Sequence, residues 1–187
     1  MPRAFDIAIA ALALAILSPV LLVAAIAIKL TSRGPVVYRQ RRVGLGGREF
    51  EMWKLRTMVE GSDPVGVGRV VYRDDPRVTG PGRFLRRTSL DEIPNFVNVL
   101  RGEMAIVGPR PTIKAQVDDY TPQQKRRHEV LPGITGWAQV QGRAGIPWEE
   151  RIELDVWYVD HRSPALDVRI LLKTLWLVVT AQGLAPD

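Results

Sequence analysis

The feature that most constrains this chain is an apolar run near its N-terminus. Residues 7–28 read IAIAALALAILSPVLLVAAIAI and contain no charged side chain. As an α-helix at ~1.5 Å per residue, the run extends about 33 Å, enough to cross a hydrocarbon core of about 30 Å. A secretory signal peptide fits less well, because the run is too long and its leader, MPRAFD, offsets one arginine with an acid. The run predicts a membrane helix over residues 1–30 and a single domain over residues 31–187.

A Ser-Pro pair interrupts the apolar run near its middle. Pro19 lacks the amide hydrogen that a helix uses there and bends the helix, while the hydroxyl of Ser18 can bond a freed carbonyl. The helix is therefore either a kinked span or a re-entrant helix that returns to the side it came from. Basic residues at both ends, Arg3 before the run and Lys29 and Arg33 after it, favour the re-entrant form with both ends cytoplasmic.

The charge balance narrows the class of partner. A formal net charge of +6 favours nucleic acid, anionic lipid or a phosphorylated substrate. The sequence contains no groove-reading helix and no aromatic stacking platform, so we expect no nucleic-acid partner. The absence of cysteine excludes disulfides, thiolate nucleophiles and cysteine metal sites, and two histidines argue against an imidazole-rich site.

After the apolar run, the pattern predicts an α+β fold that is mainly helical. The glycines at 44, 46 and 47 lie between two alternating segments and predict a small β-hairpin, whereas residues 56–81 are loop-like. After this loop, apolar residues at helical spacing and a capping box at Thr121 and Gln124 predict helices. The apolar C-terminal segment suits either the membrane surface or the core. The predicted strands are 36–43 and 48–55, and the predicted helices are 89–100, one opening at 121, 147–161 and 166–183.

The most pointed chemical feature is the adjacent pair Asp91 and Glu92 within SLDEIPNFVNVLRGEM. Acids in a first helical turn are ordinary, because they stabilise the unpaired amides, so a capping role competes with catalysis. Ser89 and Glu92 fit a capping box, but Pro94 would suit Asp91 as the cap, and the residues leave that choice open.

Several fixed cations surround this pair in the sequence. Each could be a solvated surface charge, although Arg110 lies between Pro109 and Pro111, which stiffen its backbone for binding a phosphate. These cations are Lys54 and Arg56 in KLRTM, Arg86 and Arg87 just before the pair, Arg110 in GPRP and Arg143 in QGR.

The ordered motifs SP, KLRTM, SLDEIPNFVNVLRGEM, IVGPRP, PGITGWAQVQGR and ELDVWYVDH resemble the bacterial sugar transferase family, specifically its small monotopic phosphoglycosyl transferases. The resemblance implies a re-entrant helix broken at Ser18 and Pro19, with interfacial helices around a compact domain on the cytosolic face of the bacterial inner membrane. It implies transfer of a sugar 1-phosphate from a UDP-sugar to undecaprenyl or another polyprenyl phosphate, with release of UMP. It leaves a homodimer open.

The resemblance also assigns residue roles. Asp91 would be the nucleophile that forms an aspartyl-phosphosugar and a ligand of Mg2+, and Glu92 would complete the dyad. Substrate binding would fall to Lys54, Arg86, Arg110, Arg143 and Asp155. Small departures from the family pattern, Leu55, Ile93 and Asn95, remove no charge. The alternative function is a non-catalytic, membrane-anchored basic binding or scaffold protein, in which the two acids only cap a helix.

Overall fold

The N-terminal run forms one long helix. The structure, a computed structural model, describes residues 2–62, 75–142 and 145–180. Helix α1 spans Arg3–Thr31, 29 residues with a mean hydropathy of 2.7 in its most apolar window, and is long and apolar enough to cross a membrane. Only 11% of that window is buried inside the protein, so most of its apolar side chains face outward. The predicted N-terminal apolar helix is confirmed.

Helix α1 continues through the Ser-Pro pair. Pro19 lies inside the helix, and the hydroxyl of Ser18 donates to the carbonyl oxygen of Ala15 at 2.8 Å. That carbonyl is the one an amide at position 19 would have bonded. The serine therefore satisfies the acceptor that proline orphans, and the predicted break does not interrupt the helical backbone. The re-entrant course stays a prediction.

Both ends of α1 pack against the rest of the protein. At its start, Arg3 Nη1 donates to the carbonyl of Met104 at 2.8 Å, and the Asp6 carboxylate accepts from the amide of Ile106 at 3.0 Å. Near its end, Ile28 is 1% exposed and clusters with Leu55. The two ends of this helix are thus fixed to a single folded body.

The predicted hairpin is confirmed within one residue at each strand start. Strands β1 (Val37–Val43) and β2 (Glu49–Leu55) pair antiparallel, from Val37 opposite Leu55 to Val43 opposite Glu49. Their connection turns at Gly46 and Gly47, whose φ angles of 63° and 76° favour glycine.

The predicted helix over residues 89–100 is wrong in its first half. Ser89 adopts a left-handed conformation with φ of 56° and makes no side-chain cap, so the capping-box interpretation also fails. A 3₁₀ turn covers Leu90–Glu92, and helix α3 (Asn95–Leu100) begins only after Pro94. Proline has no amide hydrogen, so Pro94 cannot donate the backbone hydrogen bond that would continue one helix through both segments. The acidic pair therefore lies in a separate short turn.

The remaining elements combine predicted and unpredicted structure. The capping box at Thr121 and Gln124 is confirmed, although its α-helix is one turn long and continues as a 3₁₀ turn. Two strands pair in parallel beneath the helices, a pairing that the sequence did not reveal. The mainly helical class with a small sheet is confirmed. In chain order the elements are α2 (Gly80–Arg87), β3 (Ala105–Val107), α4 (Lys114–Val117), α5 (Pro122–Lys125), β4 (Gly133–Thr135), α6 (Trp137–Gln141), α7 (Trp148–His161) and α8 (Pro164–Val179).

Helix α2 begins at Gly80, so the predicted loop over residues 56–81 extends two residues too far, and the rest of the helix lies where the sequence predicted no element. Thr79 caps this helix by accepting from the amide of Gly82 at 3.1 Å. Residues 63–74 of that loop, and residues 181–183 of the predicted last helix, lie outside the described residues.

Candidate active site

The predicted site residues meet in one large cleft. Its volume is about 1070 Å³, and it is lined by the hairpin, the 3₁₀ turn at 90–92, and parts of α1, α6, α7 and α8. Arg143 lies outside the described residues, so its predicted role is untested. The other predicted residues all line the cleft: Lys54, Arg86, Asp91, Glu92, Arg110 and Asp155.

Glu92 is held by two cations. Lys54 Nζ lies 2.8 Å from its Oε1, while Arg110 Nη2 lies 2.6 Å from the same oxygen and Nη1 donates to Oε2 at 3.3 Å. Burial would raise the pKa of this carboxyl, but the charges and hydrogen bonds of Arg110 and Lys54 outweigh it and hold the pKa below its usual range. Glu92 is therefore ionised, and its oxygens are engaged in orienting the cations.

Asp91 has a different environment from its neighbour. Burial, and then the negative charge of Glu92, raise the pKa of Asp91 to about 6, against the opposing charges of Lys54, Arg86 and Arg110. Among the residues that the structure describes, no side chain forms a hydrogen bond or ion pair with its carboxylate. Asp91 is thus mostly ionised at neutral pH, weakly solvated and open to the cleft. These are the properties of a nucleophile or metal ligand.

A third cation near Asp91, besides Lys54 and Arg110, comes from helix α2. Arg86 Nε donates to the hydroxyl of Thr57 at 2.8 Å, which fixes the guanidinium along the cleft wall. Burial lowers the pKa of Arg86, and the charge of Asp91 opposes that change. Arg86 stays protonated at neutral pH because a guanidinium starts far above it. Asp91 is therefore near positive charge from both α2 and the hairpin.

Arg42 was not among the predicted site residues, yet its side chain lines the cleft. Arg42 Nη2 donates to Gln40 Oε1 at 2.6 Å, and burial together with the Arg110 charge lowers its pKa to about 10. A signal was present, because Tyr38, Gln40 and Arg42 alternate along β1 and so share one face of the strand.

A buried network lies behind Arg110. The predicted binding residue Asp155 forms an ion pair with Arg127, and both side chains are almost fully buried, at 4% and 3% exposed. Arg127 also donates to the hydroxyl of Tyr120 at 2.7 Å and to the backbone carbonyl of Arg110 at 2.9 Å. Asp155 thus contacts neither Asp91 nor Glu92 directly, and acts on them through Arg127. The sequence did not point to Arg127 as a site residue. Nothing in RRHEV distinguishes Arg127 from its neighbour Arg126, which stays partly exposed.

The donor set is suited to a metal that is shared with a substrate. Within residues 2–62, 75–142 and 145–180, no group of three or more His, Asp or Glu side chains could hold a metal ion. Asp91 is an open carboxylate of this cleft, and Mg2+ is commonly bound by one or two carboxylates together with phosphate oxygens. The residues present therefore fit a magnesium ion that arrives with, or is completed by, a phosphorylated ligand.

Comparison with known proteins identifies the family of this chain. A sugar transferase of Bacillus subtilis (strain 168), EpsL, named as uncharacterized, is 42% identical over 98% of this chain and 90% of its own length. The UDP-glucose:undecaprenyl-phosphate glucose-1-phosphate transferases of Caulobacter vibrioides and Escherichia coli (strain K12) are 45% and 44% identical over 97% and 94% of this chain. The chain spans 70% of the Caulobacter relative and 39% of the Escherichia relative. The model of the family described as bacterial sugar transferase matches residues 1–181, so the chain belongs to the bacterial sugar transferase family.

Proposed function

We propose that this protein transfers a sugar 1-phosphate from a UDP-sugar to undecaprenyl phosphate, as the first membrane step of glycoconjugate or exopolysaccharide synthesis. The observation that carries the proposal is Asp91, an open carboxylate with a raised pKa, lying between fixed cations in a cleft that also reaches the apolar helix α1. The names of relatives such as the Caulobacter transferase support the two substrates.

The first step is attack on the phosphorus that carries the sugar. A carboxylate oxygen of Asp91 forms a bond to this phosphorus, and the bond to the bridging oxygen breaks, so that UMP leaves with the bonding electron pair. The diphosphate would repel an approaching carboxylate in the absence of positive charge. That charge is supplied by Arg86, Lys54 and Arg110. Glu92 keeps Lys54 and Arg110 in place through its hydrogen bonds.

The second step regenerates the enzyme. A phosphate oxygen of the polyprenyl phosphate attacks the phosphorus of the aspartyl-phosphosugar, and the bond from phosphorus to Asp91 breaks. The products are polyprenyl diphosphate sugar and a free carboxylate. Dividing the transfer in this way keeps two bulky anions from meeting directly. A bound Mg2+ would neutralise charge on the phosphates, and Asp91 is the side chain that would hold it.

The packing of α1 supports a monotopic arrangement on the cytosolic face of the inner membrane. Arg3 and Asp6 at one end and Ile28 at the other contact the same folded body. A helix that crossed the membrane would carry one of these ends away from that body. The re-entrant course keeps both contacts while its apolar middle enters lipid.

The test is a two-part assay on the purified protein in nanodiscs. With magnesium, undecaprenyl phosphate and a panel of UDP-sugars, the protein should release UMP with at least one sugar. With the UDP-sugar alone, mass spectrometry should find one phosphosugar on the peptide that contains Asp91. Absence of UMP release with every UDP-sugar would refute the proposed activity, and a phosphosugar on another residue would refute the nucleophile.

A further inference from the structure

Arg56 is a buried cation whose side chain is held by the end of the membrane helix. It is 7% exposed, and its Nη2 donates to the carbonyl oxygen of Ser32 at 2.8 Å and to the Ser32 hydroxyl at 3.0 Å. Within the described part of the chain, Nε and Nη1 are buried and have no hydrogen-bond partner. Ser32 is the C-terminal cap of α1. Because an unpaired buried cation is costly and a helix C-terminus carries partial negative charge, the position of Arg56 is tied to that helix end.

The residue after Arg56 holds helix α2. The carbonyl oxygen of Thr57 accepts from the amide of Thr79 at 3.0 Å, and the Thr57 hydroxyl accepts from Arg86 Nε at 2.8 Å. Gly82 in α2 lies against the same carbonyl, since a Cβ at this glycine would come within 2.1 Å of the Thr57 oxygen. Thr57 therefore places both the start of α2 and the Arg86 guanidinium, and it is one peptide bond from Arg56.

Apolar packing joins the same parts of the protein. Ile28, near the end of α1, forms a buried cluster with Leu55 of β2 and Leu85 of α2. Leu90, the residue before Asp91, packs against this cluster. The end of the membrane helix thus shares a core with the elements that carry the reactive carboxylate and its cation from α2.

We infer that Arg56 is a positioning residue, which couples the seating of α1 in the bilayer to the placement of Arg86 beside Asp91. The inference rests on the proposed function and adds a residue that acts on the first step through Thr57. A change in the depth or tilt of α1 would move Ser32, and the guanidinium that it holds would follow. Displacing a catalytic charge by about 1 Å can slow a reaction by about a hundredfold, so a small movement at Ser32 has a measurable effect.

The experiment separates this coupling from simple capping of α1. The variants are Arg56→Gln, Ser32→Ala and the two together, and the matched control is Arg48→Gln, which removes an exposed positive charge outside the cleft. Each protein is placed in nanodiscs of phosphatidylcholine with short, medium or long acyl chains, because bilayer thickness changes the depth and tilt of a membrane helix. The burst of UMP from a UDP-sugar is measured without acceptor, so that only the first step is observed.

In bilayers of medium thickness, Arg56→Gln should lower the rate constant of the burst at saturating UDP-sugar by about tenfold. The UDP-sugar concentration at half-maximal rate should change much less, because the cation from α2 acts most strongly on the charge that develops on the leaving phosphate. Ser32→Ala removes one of two acceptors and should slow the burst by about threefold. Combined with Arg56→Gln, it should cause no further loss, because both substitutions break the same contact.

Bilayer thickness provides a readout that a purely structural contact does not change. We expect the burst rate constants of the wild type and of Arg48→Gln to differ severalfold between thin and thick bilayers. For Arg56→Gln this dependence should flatten, because the movement of α1 is no longer passed to Thr57 and Arg86.

Three results would overturn the inference. They are a wild-type burst in Arg56→Gln with only a lower Tm, independent losses from the two substitutions in the double variant, and a wild-type burst that is the same at every bilayer thickness. If Arg56→Gln does not fold, Ser32→Ala decides alone through its burst rate constant and the dependence of that rate on thickness. The proposed function survives all of these results as long as the wild type releases UMP and modifies Asp91. If no UDP-sugar gives UMP with the wild type, the proposed function fails and the coupling fails with it.

Discussion

Replacing Asp91 with Asn should inactivate the protein and also make it more stable. The pKa of Asp91 is raised from 3.8 to about 6, chiefly by burial, so its ionisation costs free energy in the folded state. A shift of about two units at 1.36 kcal/mol each amounts to about 3 kcal/mol at neutral pH. Asparagine imitates the protonated acid in shape and charge, and so avoids this cost.

The Tm difference between Asp91→Asn and the wild type should depend on pH. For an acid with a raised folded pKa, the penalty is absent below the unfolded pKa near 3.8 and fully present above about 6. We expect Asp91→Asn to raise Tm by about 6–12 °C at pH 7.5, using 2–4 °C per kcal/mol for a chain of this size. The difference should nearly vanish at pH 4.

The assay is thermal unfolding in detergent micelles at several pH values, beside UMP release at pH 7.5. Asp119→Asn, at an exposed position outside the cleft, is the matched control and should change neither Tm nor turnover appreciably. The Asp91 variant should lose turnover by roughly 10³-fold or more. In the wild type, kcat/KM should fall below pH 6 as the carboxylate gains a proton. The burial argument is refuted if Asp91→Asn does not raise Tm at pH 7.5, or raises it equally at pH 7.5 and pH 4.

Three further substitutions test the surroundings of Asp91 and the course of helix α1. Glu92→Gln leaves Lys54 and Arg110 without their carboxylate, so we expect the free energy of unfolding to drop by roughly 1–3 kcal/mol. Urea titration measures this drop, and an unchanged free energy would contradict the ion pairs. Arg127→Lys keeps the charge but cannot bridge its three partners, so KM for the UDP-sugar should rise about tenfold through misplacement of Arg110. Here, an effect on Tm alone would refute the positioning role. Pro19→Leu restores the missing amide and should let α1 span, exposing an N-terminal tag to the periplasm; a cytoplasmic tag with full activity would contradict this.

The elements that sequence reasoning predicted best are those whose determinants are local. The apolar helix follows from a long uncharged run, and the hairpin follows from alternation around glycines at 46 and 47 that adopt positive φ. The capping box at Thr121 needs only side chains three residues apart. In each case the residues that decide the structure are neighbours in the sequence.

The missed features depend on residues that are distant in the sequence. The role of Arg127 is set by Asp155, twenty-eight positions later, and by the carbonyl of Arg110, seventeen positions earlier. The parallel pairing of Ala105 with Gly133 likewise depends on a tertiary contact between short segments. The split at Pro94 had a local signal, but the sequence could not show which of several caps would prevail.

The two adjacent acids perform different tasks because of the short turn that carries them. In a 3₁₀ turn, successive side chains point about 120° apart, and only Glu92 forms ion pairs with Lys54 and Arg110, whereas Asp91 feels their charges without pairing with them. The longer Glu92 reaches Lys54 and Arg110 and stays ionised, and its fixed negative charge in turn helps to raise the pKa of Asp91. The residue that orders the cations thus also makes its neighbour a more basic carboxylate, which is a stronger nucleophile toward phosphorus. A regular helix through this segment would have let either acid serve as a simple cap, so the proline that splits the helix is part of what separates the proposed nucleophile from the residue that supports it.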